Sequence, residues 1–304
     1  MTIQVLLYYK YVPLQNPEEF VEKTKQFCQQ RGILGRILIS EQGVNGTCAG
    51  ERKAIDAYKQ WMQKHPEFSD IWFKEQTAPK NPFTKCSVRY RKELVTLRQG
   101  KIDPQKGGEH VSAQQVHELV KQYGDDVVFF DARNEIESRI GRFKNAICPD
   151  IKTFREIPQI IKEYAPKLKN KKVIMYCTGG IRCETASVLL KQQGVEDVYQ
   201  IDGGIYNYCQ TYPDGLFEGT CYVFDERMQI GFGKQNAVLL EDDVSEEKII
   251  SACEFCQKKT ARVINDERYL ERVQRVCCND CDAKLDISRI RTKQERQVLL
   301  AQHK

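Results

Sequence analysis

The stretch Lys171-Lys-Val-Ile-Met-Tyr-Cys177-Thr-Gly-Gly-Ile-Arg182-Cys183-Glu184 decides the fold of the central part of this chain. Residues 173–176 form an apolar run that predicts a buried strand, and helical spacing follows until Gly194. A strand, a glycine-rich loop and a helix in this order aim backbone N–H groups at an anion. The anion here would be the thiolate of Cys177 or a group attached to it.

The length and composition of the chain set outer limits on its class. Its 304 residues predict two or three domains, and no segment approaches the ~18–20 apolar residues of a membrane span. The first ten residues lack the basic and small-residue features of a signal peptide. We therefore expect a cytoplasmic protein whose thirteen cysteines are reduced, buried, metal-bound or catalytic. The net charge of +5 is compatible with a nucleic-acid partner but does not require one.

Residues 1–100 predict a ferredoxin-like α+β domain, because their strands and helices follow the order βαββαβ. The predicted elements are a strand at 5–9, a helix capped by Asn16-Pro17, a strand at 36–40, a hairpin turn at 43–46, a strand at 47–49, a helix at 51–63 and a strand at 71–74. This domain is either a scaffold or docking module, or it binds the substrate directly.

Residues 80–106 concentrate positive charge, with two acids among eight basic residues: Lys80, Lys85, Arg89, Arg91, Lys92, Arg98, Lys101 and Lys106. Residues 86–98 predict an extended strand with interleaved basic side chains. This basic strip is either a solvated strand face or a surface that follows the phosphates of RNA, with Tyr90 available for stacking. The RNA-binding candidates are Lys85, Arg89, Arg91, Lys92 and Arg98. Residues 101–109, rich in glycine and lysine, predict a linker.

Residues 110–220 predict a doubly wound α/β domain. Ser112 and Gln115 form a capping box, and the run at 126–131 is typical of a strand buried on both faces of a parallel sheet. Further strands at 173–176 and 197–201 alternate with helices, one of them near 151–164. Such a sheet places its site at the carboxyl ends of the strands.

Several motifs in this region resemble those of the rhodanese domain: Asp131-x-Arg133, Gly141 with Asn145-Ala146, the loop 177–182 and Asp202-Gly-Gly204. Arg142 departs from the family, in which many members carry histidine. Within the superfamily, sulfur-carrying members use a six-residue loop, as here, whereas related phosphatases use one residue more. The loop therefore favours a persulfide on Cys177 over a phosphate, and the resemblance assigns supporting roles to Asp131 and Arg133.

Two thiols flank this loop. The loop N–H groups, the following helix N-terminus and Arg182 should lower the pKa of Cys177, which makes it a candidate catalytic residue. The alternative is that Cys177 is a small buried residue. Cys183 either resolves a persulfide by forming a disulfide with Cys177 or merely packs in the first helical turn.

Residues 221–304 form a small Cys-rich region. The pairs Cys253-x2-Cys256 and Cys278-x2-Cys281 have the spacing of a zinc ribbon with four thiolate ligands. Cys277 is an alternative ligand to Cys278, and a set of reduced thiols or a redox pair is the alternative to a metal. The last ~20 residues predict an amphipathic or fraying helix.

Several motifs occur together along the whole chain: residues 43–47, 131–134, 177–184 and 223–227 and the Cys-rich tail. With these motifs the chain is similar to the oxygen-dependent tRNA uridine hydroxylases, which make 5-hydroxyuridine at the wobble position of tRNA. This resemblance implies O2 as co-substrate, an essential Cys177 acting through a persulfide, and the tRNA anticodon stem-loop as partner of the N-terminal domain and the basic strip. It also implies an active-site loop made of Thr178, Gly179, Gly180, Ile181 and Arg182.

The predicted fold class is therefore α/β, with a central rhodanese domain between a ferredoxin-like domain and the Cys-rich region. No haem, flavin or nicotinamide motif is present, and the oligomeric state is open. Two other functions compete: a sulfurtransferase that moves sulfane sulfur to a small acceptor or tRNA, and a non-catalytic RNA- or protein-binding module. The loop alone supports the first equally well, whereas Cys177 and Arg182 argue against the second.

Overall fold

The computed structural model describes residues 2–100, 102–234 and 237–302. The N-terminal domain consists of β1 (Ile3–Tyr11), α1 (Pro17–Gln30), β2 (Leu34–Ser40), β3 (Gly43–Glu51), α2 (Arg52–Gln63), β4 (Phe73–Ala78) and β5 (Cys86–Tyr90). Its sheet has the order β4-β1-β3-β2-β5, antiparallel except where β5 pairs with β2. The predicted ferredoxin-like arrangement is confirmed, with β5 added as an edge strand.

The two faces of this sheet differ because strand side chains alternate. One face packs on α1 and α2 around a core that includes Leu6, Tyr8, Ile37, Ile55, Tyr58 and Met62. The opposite face carries Leu7 and Tyr9, and it turns toward the central domain.

Three local predictions in this domain are wrong. Residues 43–46 belong to β3, and the turn lies at Glu41 and Gln42. Gly46 lets the Tyr8 side chain of β1 pack close to the backbone of β3, because a Cβ at position 46 would lie 2.4 Å from the Tyr8 hydroxyl oxygen. The fourth strand begins at Phe73, and the strand predicted at 86–98 ends at Tyr90. Beyond it the chain folds into a loop whose Leu97 N–H donates to the Glu93 carboxylate (2.9 Å).

The central domain is built around a parallel sheet with the order β6-β10-β9-β7. Its elements are β6 (Glu109–Val111), α3 (Ala113–Tyr123), β7 (Val127–Asp131), α4 (Glu135–Ile140), β8 (Gly141–Phe143), α5 (Ile157–Leu168), β9 (Lys172–Tyr176), α6 (Ile181–Gln192), β10 (Val198–Ile201) and α7 (Gly204–Thr211). Helices α5 and α6 cover one face, and α3 and α7 cover the other. This confirms the doubly wound prediction; α5 begins later than the predicted helix.

The C-terminal region consists of short strands and two helices. They are β11 (Phe217–Gly219), β12 (Cys221–Tyr222), β13 (Gln229–Phe232), β14 (Val238–Leu239), β15 (Val263–Asn265), β16 (Gln274–Val276), α8 (Asn279–Leu285) and α9 (Lys293–Gln302). The hairpin β15–β16 lies between the two Cys-x2-Cys pairs. Arg139 of α4 donates to Glu254 (2.8 Å), which attaches this region to the central domain. Within the described ranges, no helix is long and apolar enough to cross a membrane.

A buried ion pair fixes the end of β7. The Arg133 guanidinium donates to both carboxylate oxygens of Asp131 (2.8 and 2.6 Å) and to the Gly141 carbonyl (2.6 Å). Both side chains are fully buried. Burying two charges is tolerated only when each neutralises the other, so removal of one partner is costly.

We predict that Asp131→Ala lowers the free energy of unfolding by about 3–5 kcal/mol, because it leaves the Arg133 charge buried without a counterion. Urea denaturation measures this change. The matched control is Asp56→Ala, which breaks a surface pair with Lys59 (3.3 Å) and should cost at most ~1 kcal/mol. Equal effects of the two substitutions would contradict a structural role for the buried pair.

Candidate active site at the Cys177 loop

The Cys177 loop is oriented by hydrogen bonds from a neighbouring helix. Strand β9 ends at Tyr176, and α6 begins at Ile181, so only four residues lie between them. The carbonyls of Cys177 and Thr178 accept the backbone N–H groups of Ile205 (2.9 Å) and Tyr206 (3.1 Å) in the first turn of α7. With its carbonyls bound on that side, the loop directs its own N–H groups inward, and the Gly180 N–H donates to Sγ of Cys177 (3.2 Å).

Gly204 makes this contact between α7 and the loop possible. A Cβ at this position would lie 2.4 Å from the Cys177 carbonyl oxygen, far inside van der Waals contact. Its φ of 68° also lies in the left-handed region that favours glycine. The Asp202-Gly-Gly204 motif therefore shapes the cysteine loop across the sheet.

The surroundings of Cys177 favour the thiolate. Burial opposes ionisation, but the Cys183 thiol, the Arg182 charge and the backbone N–H groups of Arg182 and Gly180 outweigh it and lower the pKa of Cys177 to about 5. Burial and the hydrogen bond with Cys177 raise the pKa of Cys183 well above its usual value. Cys177 is thus the anionic partner of this thiol pair at neutral pH.

The guanidinium of Arg182 is held by a second buried ion pair. It donates to both carboxylate oxygens of Glu137 on α4 (2.7 Å each). Despite burial, the Arg182 charge and hydrogen bonds lower the pKa of Glu137. Much of the Arg182 charge is therefore neutralised, and the backbone N–H groups carry a larger share of anion binding than the sequence suggests.

A cavity of about 300 Å³ lies over Cys177, between the central domain and the N-terminal sheet. Its floor includes Cys177 and residues of its loop, and its roof is the sheet face of β1, β2 and β3. Cys177 itself is 1% exposed, and Leu7 of the roof lies close to Gly179 of its loop. The lining comprises Leu7, Tyr9, Arg36, Leu38, Asn45, Thr47, Leu94, Val95, Asn134, Phe154, Cys177, Thr178, Gly179, Ile181, Arg182 and Phe224.

Comparison with known proteins places this architecture in a family. Residues 3–94 match the UPF0176 acylphosphatase like domain, residues 112–211 the rhodanese-like domain, and residues 218–292 the rhodanase C-terminal family. The tRNA uridine(34) hydroxylase of Corynebacterium urealyticum is 40% identical over 288 residues, covering 92% of this chain and 93% of that protein. This chain belongs to the tRNA uridine(34) hydroxylase family. Two further members are the proteins of the same name from Bacillus licheniformis, 40% identical over 91% of this chain and 88% of that protein, and from Corynebacterium diphtheriae, 43% identical over 76% of each.

Family membership confirms the resemblance drawn from the motifs, and the matched C-terminal family covers residues 218–292 of the tail. The structure places most of the predicted loop residues together: Cys177, Thr178, Gly179, Ile181 and Arg182 line the cavity, and Gly180 binds the sulfur. Three predicted supporting residues lie behind the loop and do not line the cavity: Asp131, Arg133 and Cys183.

The predicted RNA-binding residues lie in β5 and in the segments next to it in sequence, and β5 pairs with β2 of the roof. All five are exposed, namely Lys85, Arg89, Arg91, Lys92 and Arg98; Lys101 lies outside the described residues. Arg89 pairs in register with Leu38, which lines the cavity, so both side chains share the roof face of the sheet. Lys92 instead lines a larger neighbouring cleft.

The sequence did not predict the cavity wall outside the cysteine loop, and Arg36 and Phe224 are two examples. Arg36 stands beside Leu38 on β2, and the alternation of that strand was the available signal. Phe224 is 41% exposed, although aromatic rings are usually buried, and the Arg182 guanidinium lies 5.5 Å from its ring centroid. Phe224 belongs to the 223–227 motif, whose role no local pattern indicated.

The four predicted metal-ligand cysteines meet in the C-terminal region. The Sγ atoms of Cys253, Cys256, Cys278 and Cys281 all lie within 4.8 Å of one another. A tetrahedral zinc site with Zn–S bonds of ~2.3 Å has an S–S edge of about 3.8 Å, and Cys256 and Cys278 are 3.6 Å apart. This cluster therefore fits a metal such as zinc.

We predict that alkylation of Cys177 by iodoacetamide is half-maximal near pH 5 and constant above about pH 7, because only the thiolate reacts. The rate should fall as pH drops through the pKa. Peptide mass spectrometry follows each cysteine separately. Cys183→Ala removes one contact that stabilises the thiolate and should move the midpoint upward; a wild-type midpoint near the ordinary value of ~8.5 would contradict the low pKa.

Proposed function

We propose that this protein hydroxylates C5 of the wobble uridine, position 34, in tRNA, with O2 as co-substrate and Cys177 as the catalytic residue. The observation that carries this proposal is the cavity over the Cys177 thiolate, in a chain that belongs to the tRNA uridine(34) hydroxylase family. Its volume of about 300 Å³ is at the lower end for ligand sites and suits a single nucleobase. A tRNA substrate also locates the proposed activity in the cytoplasm.

The cavity requires that the target base leave its stack. Enzymes that modify bases extrude the target into a pocket, and this costs little when the nucleotide is already single-stranded, as in an anticodon loop. Phe224 offers a partly exposed ring at the cavity wall, where it would stack on uracil. The anticodon stem-loop is therefore the part of tRNA that we assign to this site.

The basic residues around the roof would hold the RNA backbone. Arg36 and Arg89 share the roof face, and the candidates Lys85, Arg91, Lys92 and Arg98 are exposed close by in sequence. Contacts to phosphate position a nucleic acid without reading its sequence. In this proposal the roof positions the stem-loop, and the cavity receives the base.

The chemistry needs two electrons. Replacing C5–H by C5–OH inserts one oxygen atom from O2, and the second atom leaves as water, which consumes two electrons and two protons. Joining two S–H groups in one S–S bond releases two electrons and two protons. Cys177, as a thiol or as a persulfide, and the adjacent Cys183 would supply them, and a cellular thiol would then reduce the bond.

Sulfur transfer is the second candidate function, because the six-residue loop binds the Cys177 sulfur through the Gly180 N–H. In that reaction, a sulfane-sulfur donor converts Cys177 to a persulfide, and the outer sulfur passes to an acceptor. The same thiolate would serve both reactions. They differ in the atom that reaches the product.

We predict that tRNA from cells lacking this protein loses 5-hydroxyuridine, that wild type restores it and that Cys177→Ala does not. Cys86→Ser, a half-buried thiol in the N-terminal domain, is the matched control and should restore it. Nucleoside analysis by accurate-mass spectrometry after growth in isotopically labelled O2 distinguishes added oxygen from sulfur. Undiminished 5-hydroxyuridine in the deletion strain would contradict hydroxylation, and a thiolated product would favour sulfur transfer.

We also propose zinc as the resident metal of the Cys253, Cys256, Cys278 and Cys281 cluster, with a structural role. The cluster lies next to Glu254, which accepts from Arg139 and Arg275 and so connects the C-terminal region to α4. Four thiolates leave no open coordination position for substrate, as in structural zinc sites.

We predict about one zinc per chain in protein purified without chelator, and less than one tenth of that in Cys278→Ser. The neighbouring Cys277→Ser is the matched control and should retain zinc, since Cys277 is not among the four clustered thiols. Plasma mass spectrometry measures the metal, and the thermal midpoint should fall only when zinc is lost. Wild-type protein with little zinc, or loss of zinc in Cys277→Ser alone, would contradict this assignment.

A further inference from the structure

A second cleft of about 1180 Å³ lies beside the catalytic cavity. Its walls come from the end of β1, from Gly100 and residues 102–105, and from the start of α6. Tyr9 lines both spaces and donates to Glu184 of α6 (2.8 Å), so it stands as the wall between them. The cleft has about four times the volume of the cavity, which leaves room for more than one nucleotide.

Lys74 is the unusual residue of this cleft. It is 4% exposed, yet its Nζ has no hydrogen bond or ion pair with any described residue. Buried lysines are almost always paired. The Nζ lies 4.7 Å from the ring centroid of Trp72 and 5.0 Å from that of Tyr9, which leaves the ammonium held by aromatic faces alone. This is a preformed cationic site with a free donor.

The charge of Lys74 persists at neutral pH. Burial lowers its pKa to about 8, although the negative charges of Asp202, Cys177 and Glu184 oppose this shift. His110 contacts both Asp202 and Glu184, and these hydrogen bonds raise its pKa to about 10. The single charge of His110 offsets one of the two carboxylates. Neither carboxylate forms an ion pair with Lys74, so the Lys74 ammonium keeps free donors for an anion.

Other acids of the cleft are also occupied by internal partners. Asp70 pairs with Lys10, and Glu93 accepts the backbone N–H groups of Leu97 and Arg98. Lys10 thus offsets the charge of Asp70, and backbone N–H groups bind both carboxylate oxygens of Glu93.

Trp72 adds a stacking surface next to the ammonium. It is 45% exposed, and its indole ring packs its edge near Gly203, where a Cβ would come within 2.7 Å. A large aromatic ring that is held at one edge and open elsewhere is typical of surfaces that stack single-stranded bases. A lysine and a tryptophan side by side therefore match the phosphate and the base of one nucleotide.

We propose that Lys74 and Trp72 form a subsite for the nucleotide adjacent to the target uridine, in which Lys74 binds its phosphodiester and Trp72 stacks on its base. This inference rests on the proposed function, because it assigns a neighbour to the uridine in the catalytic cavity. Tyr9 separates the two nucleotides, so the strand would pass over its ring from one space to the other.

The test measures binding of a synthetic anticodon stem-loop to full-length protein carrying Cys177→Ala, so that no turnover occurs. Fluorescence anisotropy at several salt concentrations gives Kd and its salt dependence. Lys74→Met should weaken binding and reduce the slope of log K against log salt by about 0.7, the value for one single-strand phosphate. Lys74→Arg should restore the slope, and Lys53→Met, an exposed lysine on α2, is the matched control.

Trp72→Ala should weaken binding by about 5- to 150-fold, the range for one stacked base, and leave the salt slope unchanged. A second stem-loop carries a neutral methylphosphonate in place of the phosphodiester on one side of the target uridine. The protein with Lys74 should bind it less tightly than the unmodified stem-loop, whereas Lys74→Met should bind the two stem-loops equally. Circular dichroism confirms that each variant is folded.

A folded Lys74→Met with the same Kd and salt slope as the protein with Lys74 would overturn the subsite. So would an unchanged Kd for the protein with Lys74 when the neutral linkage is placed on either side of the uridine. These outcomes are separate from failure of the proposed function. If the protein with Cys177 does not hydroxylate tRNA and the Cys177→Ala protein binds no stem-loop, both proposals fail. If hydroxylation and binding occur but Lys74 has no effect, only the subsite fails.

Discussion

The hydrogen bonds from the first turn of α7 to the Cys177 loop are the constraint on which the site depends. Helix N-termini leave backbone N–H groups without intrahelical partners, and here two of them bind the carbonyls of Cys177 and Thr178. The loop is thereby fixed with its own N–H groups toward the sulfur. Gly204 leaves room for this contact, which holds the loop at the cavity floor. The loop N–H groups then add to the Cys183 thiol and the Arg182 charge in lowering the pKa of Cys177.

The register of the N-terminal sheet explains how the roof spans both spaces. Lys74 pairs with Leu7, Leu7 with Thr47, and Thr47 with Arg36, so one row crosses four strands. Neighbouring strands lie ~4.8 Å apart, which puts the ends of this row roughly 14 Å apart. A cation stands at each end, and the lining of the catalytic cavity lies between them. A backbone laid along this row would meet positive charge on both sides of the target base.

The sequence could predict the features that depend on local patterns, but not those that depend on tertiary contacts. The strand, loop and helix around Cys177 were predictable because their residues are contiguous, and the spacing of Cys253, Cys256, Cys278 and Cys281 anticipated their cluster. The partner of Arg182 was not, since Glu137 lies 45 positions away and the pairing arises only when α4 packs beside the loop. Similarly, the sequence around Gly46 predicted a turn. The glycine instead makes room for Tyr8 of the neighbouring strand, a contact that the local sequence does not show. The roof of the cavity required knowing how two domains meet.

That roof has a consequence for the chemical durability of the protein. A thiolate is the form of cysteine that oxidants attack, and its stepwise conversion to sulfinic and sulfonic acids is largely irreversible. The face formed by Leu7, Tyr9 and their neighbours lies over the cavity that Cys177 lines, and the thiol is almost fully buried. An oxidant must therefore reach the sulfur through this cavity. The N-terminal sheet, as its roof, takes part in protecting the thiol.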